Sequence, residues 1–193
     1  MSLIKNSIWN LGGFIVPTLI AIPSLGLLAR NLGTEKFGLF TLAFAIVGYA
    51  SIFDAGLTKA VIREIAINRN DSVEQRKIIS TSTVTVGGLG CIAAVLIYIS
   101  VPWAPALLKI STVISQDVQN AFRILAFSVP VFLLNQVWLA YLEGHERFVN
   151  INVQRIVSNS CIAGLPTVFV LCSQTLTAAI MGLLFGRLLS LFI

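Results

Sequence analysis

The sequence predicts an all-α, polytopic membrane protein, and three observations carry that prediction. Of its 193 residues, 56% are hydrophobic and 11% charged, against about 25% charged in an ordinary soluble domain. The mean hydropathy is +0.91, more apolar surface than a soluble core of this size can hide. The apolar residues also fall in continuous runs, not in the ~10-residue alternating segments of a transmembrane barrel.

Six runs approach the length of about 20 residues that crosses a bilayer core as a helix. They cover 8–29, 37–58, 79–101, 121–142, 155–172 and 175–193. The first follows Lys5, exceeds a signal-peptide core of about 15 residues, and is not followed by an A-x-A cleavage site. It is therefore expected to be a retained membrane helix. It holds Gly12, Gly13, Pro17, Pro23 and Gly26. Neighbouring helices can re-satisfy the backbone groups that such residues free. A helix of this kind either kinks for packing or lines a cavity.

A polar turn over 30–36 opens the second run, which carries one ionisable residue, Asp54. Asp54 lies near the end of the run, where it can meet water or accept from Thr58 one turn on. An ion or substrate contact is the alternative. Beyond it, Val61, Ile62, Ile65 and Ile67 mix with Arg63, Glu64 and Arg69, so the second helix is expected to continue past the membrane. Asn70-Asp71-Ser72 can turn the chain and cap the third helix. The 102–120 connection contains Trp103, Leu107 and Leu108, which suit a headgroup boundary.

The connections alternate in charge. One side holds eight basic residues: Lys5, Lys59, Arg63, Arg69, Arg76, Lys77, Arg147 and Arg155. The other holds four: Arg30, Lys36, Lys109 and Arg123. The positive-inside rule then predicts a cytoplasmic N-terminus. The net charge of +5 is explained by topology, and the basic residues form no stripe that would suit nucleic acid.

Catalytic and metal chemistry have no visible seat. There is one histidine, too few for a readable zinc site. Cys91, Cys161 and Cys172 lie in apolar runs without C-x-x-C spacing and are expected to act as small hydrophobes. No Walker loop, G-x-S-x-G or G-x-G-x-x-G occurs. Neither an enzyme nor a cofactor is expected.

The last run is the most informative. Ala178, Gly182, Gly186 and Ser190 recur every fourth residue, one small face suited to close helix packing. Arg187 stands beside that face, 12 residues beyond Thr175, or roughly 18 Å into the bilayer. An arginine at that depth faces a bundle interior or a watery cavity; the alternative is snorkelling to the interface. Arg30 and Arg123 are expected near the outer interface, snorkelling or at a cavity mouth. Asn135, Gln136, Ser158 and Asn159 lie within spans and are expected to make interhelical hydrogen bonds.

Several segments carry a resemblance. GTEKFGLFTLAFAIVGYASIFDAGLTKAVIREIA over 33–66, KNSIWNLGG near the start, the D-x-G-L of Asp54 to Leu57, and LEGHERFVNINVQRI over 142–156 resemble Wzx-type O-antigen flippases. Those proteins belong to the multidrug/oligosaccharidyl-lipid/polysaccharide exporter superfamily. The resemblance implies a single transmembrane domain over 1–193, one six-helix lobe of a two-lobe exporter. It also implies location in the bacterial inner membrane and flipping of undecaprenyl-diphosphate-linked O-antigen units. The implied partners are that lipid-linked oligosaccharide, membrane lipids, and a missing C-terminal lobe or other polysaccharide-assembly membrane proteins.

On this reading the chain is a truncated N-terminal lobe, with Gly182 and Gly186 exposed toward the absent half. Arg187, Arg123, Arg30 and Asp54 are the substrate-cavity candidates. A multidrug or cation antiporter of the same superfamily is the alternative, and a non-transporting scaffold is a third. GTEKF at 33–37 and GHERF at 144–148 echo each other as two helix-end turns.

Overall fold

The computed structural model describes residues 2–50, 52, 56–108 and 110–192, with the side chains of 2–14 and 148 outside the description. Helices account for nearly all of it, and no strand occurs among the described residues.

Helix α1 (Ser2–Tyr49) holds the first predicted span and most of the second. It breaks at Gly33, whose φ of 76° and ψ of 169° lie outside helical space. That conformation is open to glycine and strained for a residue with a Cβ. Pro17 and Pro23 sit inside the first arm without ending it. The two arms, 2–32 and 34–49, line one groove between them, so the chain bends sharply at Gly33.

The second helix is not continuous through Val61, Ile62 and Ile65 as expected. It ends at Tyr49, and a separate helix α2 (Leu57–Ile67) follows, led in by Gly56 in the left-handed region at φ 80°. Gly56 sets where α2 begins, since a left-handed residue cannot sit inside a right-handed helix. Asp54 falls outside the described residues, so its placement is not described.

Helix α3 (Ser72–Ser100) starts earlier than its apolar run. Asp71 caps it, accepting from the amides of Val73 and Glu74 at 3.0 Å; such caps contribute about 1 kcal/mol. A 3₁₀ turn (Val101–Trp103) and a short helix α4 (Ala104–Leu107) follow. There Trp103 and Leu107 are exposed, as an interfacial segment requires. Then come α5 (Ser115–Gly144), α6 (Phe148–Cys172) and α7 (Leu176–Ser190).

The core joins α5 to its neighbours. Val118, Leu125, Val129 and Leu133 of α5 are fully buried, together with Val86 of α3 and Ile180 and Leu183 of α7. Helix α3 packs on α5, and α6 packs on both α7 and α1. Gly90 permits the first contact, since a Cβ there would lie 2.9 Å from Pro130 Cα. Outward faces stay apolar, with Leu19, Ile22, Val84, Val95 and Ile99 exposed.

Each end of the bundle is fastened by polar contacts. At one end Lys36 Nζ donates to Gln174 O at 3.1 Å and stands 3.6 Å from Asp117 Oδ2. Asp117 accepts from the amides of Leu176 and Thr177, the first turn of α7. Glu35 accepts from the Ser111 amide. At the other end Arg69 pairs with Glu146 at 3.2 Å and donates to Gly144 O. The two echoing segments, 33–37 and 144–148, thus each clasp a neighbouring connection, at opposite ends.

Candidate functional site

The small face of α7 sets the site. A Cβ on Gly182 would lie 2.7 Å from Leu165 O and from Pro166, and one on Gly186 would lie 3.1 Å from the backbone of Cys161 and Ile162. Both glycines are buried against α6. This corrects the expectation that they would be exposed: a small face shows how closely a helix can be approached, and the approaching helix is α6 of the same chain. Ala178 and Ser190 are buried on the same helix.

This seating turns Arg187, the residue after Gly186, into a chamber of about 420 Å³. Its walls come from the second arm of α1 (Phe44), from α5 (Phe132, Asn135, Gln136), from α6 (Gln154, Arg155, Ser158, Asn159) and from α7. Helix α6 contributes four polar residues at helical spacing, one face turned inward.

A hydrogen-bond chain fixes the three walls to one another. Ser190 Oγ donates to Arg187 O at 2.7 Å. Asn135 Nδ2 donates to Ser190 Oγ at 2.9 Å, and Gln154 Nε2 donates to Asn135 Oδ1 at 3.1 Å. Of the four polar residues expected to bridge helices, Asn135 does so, joined to Ser190 of α7 and Gln154 of α6. Asn159 instead stands exposed at the chamber wall.

The two guanidinium groups of the chamber differ. Arg155 Nη2 donates to Glu143 Oε1 at 2.6 Å, so its charge is compensated. Arg187 is 5% exposed, and its Nε and Nη1 have no hydrogen-bond partner. Its guanidinium carbon sits 4.7 Å from the centre of the Phe132 ring. Such a cation–π contact is worth about 2 kcal/mol when desolvated, whereas the effective penalty for burying an ion is several kcal/mol. The ring alone does not offset the burial. No acidic residue lines the chamber among the described residues, so the arrangement suits an anion.

The other candidates stand apart. Arg30 and Arg123 are exposed and do not line the chamber. Asp54 is outside the described residues. Sequence reasoning passed over Arg155, Gln154 and Phe132. For Arg155 the available signal was its i+3 and i+4 spacing to Ser158 and Asn159. Among the described residues no cluster of His, Cys, Asp or Glu could hold a metal.

Among the described residues, four helices are long and apolar enough to cross a membrane, Ile15–Tyr49, Ser72–Leu107, Ser115–Gly144 and Val149–Cys172, beside the shorter Leu176–Ser190. The chain is a multi-pass helical membrane protein. Its fold is that of MATE transporters. A crystal structure of a MATE in complex with MaD3S superposes with a TM-score of 0.78 at 18% identity, over 98% of this chain and 43% of that one. An outward-facing multidrug resistance MATE family transporter of the MOP superfamily superposes at 0.70 with 20% identity and the same coverage. The family profile described as "Polysaccharide biosynthesis protein" matches residues 3–193, and the chain belongs to that family. A Shigella flexneri protein provisionally named an O-antigen transporter is 54% identical over all 193 residues, which span 46% of its length. The chain thus spans about half the length of the curated relative it matches.

Proposed function

We propose that this chain forms the N-terminal lobe of an exporter that moves lipid-linked O-antigen or related polysaccharide units across the bacterial inner membrane. The observation that carries the reading is Arg187, a buried and unpaired cation, in a chain of the polysaccharide biosynthesis family. A diphosphate-linked glycolipid must bring its negative charge through a low-dielectric region, where a lone anion is costly. A fixed guanidinium lowers that cost and can grip phosphate oxygens with two bonds. Transport in this scheme is positional, with no enzymatic step, no cofactor and no nucleic-acid partner.

The proposed topology has six passes. The two arms of α1 would count as two, and α3, α5, α6 and α7 as one each. The connections at 30–36, 110–116 and 173–175 share one end, and those at 68–71 and 145–147 share the other. The charge bias assigns the second end, and the N-terminus, to the cytoplasm. The remaining partner would be a second lobe facing the chamber.

The likeness to multidrug transporters makes a cation antiporter the competing reading. An antiporter needs acidic groups at depth to exchange protons or sodium, and the chamber is lined by arginines instead. The test is a chimera. This chain is joined to the remaining half of the Shigella flexneri relative and expressed in a strain lacking its own O-antigen transporter. Restored surface O-antigen supports the reading. Efflux of cationic dyes without O-antigen would replace it with the antiporter.

A further inference from the structure

A second cavity, about 480 Å³, opens between the two arms of α1 and helix α6. Pro17, Ala21, Leu25 and Leu28 line it from the first arm, Phe40 from the second, and Ala163 from α6. It adjoins the arginine chamber, with Phe44, Asn159 and Ile162 in the walls of both. The chamber is polar and cationic, and the adjoining groove is mostly apolar. We infer that the lipid ligand lies across this junction, with its phosphate beside Arg187 and the start of its single hydrocarbon tail in the groove between the arms of α1. This rests on the anionic-lipid reading of the chamber and adds where the tail runs.

Two independent features support the placement. Arg187 offers unpartnered donors at 5% exposure, so an anion there gains charge-assisted contacts stronger than ordinary hydrogen bonds. The break at Gly33 makes 17–28 and 40–44 face one another across an apolar slot. Within a bilayer an apolar slot gives no hydrophobic gain over lipid. The tail therefore follows the anchored head and does not draw it in.

The test is photolabelling in phosphatidylcholine vesicles with two prenyl phosphates. One carries a diazirine beside the phosphate and the other carries it in the tail. The head probe is expected to label 132–139 and 154–159, and the tail probe to label 17–28 and 40–44. Ala21→Phe or Ala163→Phe fills the groove, and either should abolish the tail label on α1 while the head label persists, which also shows that the variant is folded. Arg187→Gln should lower both labels about tenfold, the loss of roughly one charged hydrogen bond.

Head labelling of the chamber with the tail label spread over outward-facing α3 would overturn the tail placement and leave the proposed function standing. Equal labelling of α1 by the uncharged prenyl alcohol would also overturn the placement. If phosphatidylglycerol suppresses the labels as strongly as unlabelled prenyl phosphate, the site belongs to a bilayer lipid and the inference fails. Absence of head labelling from the chamber would remove both the inference and the anionic-lipid reading.

Discussion

Arg155 and Arg187 line one chamber, but only Arg155 has a counter-ion, Glu143 at 2.6 Å. Nε and Nη1 of Arg187 face no partner. The chamber therefore holds one compensated and one uncompensated cation. In the proposed scheme this asymmetry leaves Arg187 to receive the anionic group of the ligand.

Glu143→Gln tests that asymmetry. The pair is about a third exposed at each partner, so its loss should lower stability by less than about 1 kcal/mol. It should free a second guanidinium toward the chamber. Phosphate-side photolabelling is expected to rise, while the thermal midpoint in detergent barely moves. A collapse of stability with no change in labelling would make the pair purely structural.

Gly182→Leu tests the seating of α7. A Cβ there already meets the backbone of α6 at 2.7 Å, which no rotamer relieves. The variant is expected to lose about 3 kcal/mol and to fall apart in mild detergent at lower temperature. Gly88→Ala is the control, because nothing lies within 4 Å of a Cβ at that position. It should be neutral or gain up to about 1 kcal/mol of helix propensity. Size-exclusion profiles after a temperature series separate the two.

Topology is testable with single cysteines in a background lacking Cys91, Cys161 and Cys172. A cysteine at Asn70 is expected to resist an impermeant thiol reagent in intact cells, and one at Ser111 to react. Both native residues are exposed. The reverse pattern would invert the orientation drawn from the charge bias.

Much of the architecture was legible because bilayer length and charge placement dominate a chain like this. The runs at 121–142 and 155–172 lie within α5 and α6. What escaped depended on the fold. Gly56 reads as one more glycine until its left-handed φ appears at the head of a separate α2. Arg155 sits beside the 145–147 turn in sequence and so counts as a topology charge. Only the start of α6 at Phe148 carries it inward to the chamber wall. The small face of α7 was visible in its spacing, but its partner was not, since spacing records the closeness of a contact and not its other half. Arg187 was legible because a charge deep in an apolar run has few inexpensive places to go.

In the proposed scheme Arg187 carries the anion, and surface O-antigen from the full-length chimera bearing substitutions at this position, compared at equal membrane abundance, reads that role. Lysine keeps the charge but loses the planar fork, and alanine loses both. Arg187→Lys is expected to keep partial O-antigen display and Arg187→Ala to lose most of it. Wild-type O-antigen in the alanine variant would contradict the account and remove Arg187 from the mechanism.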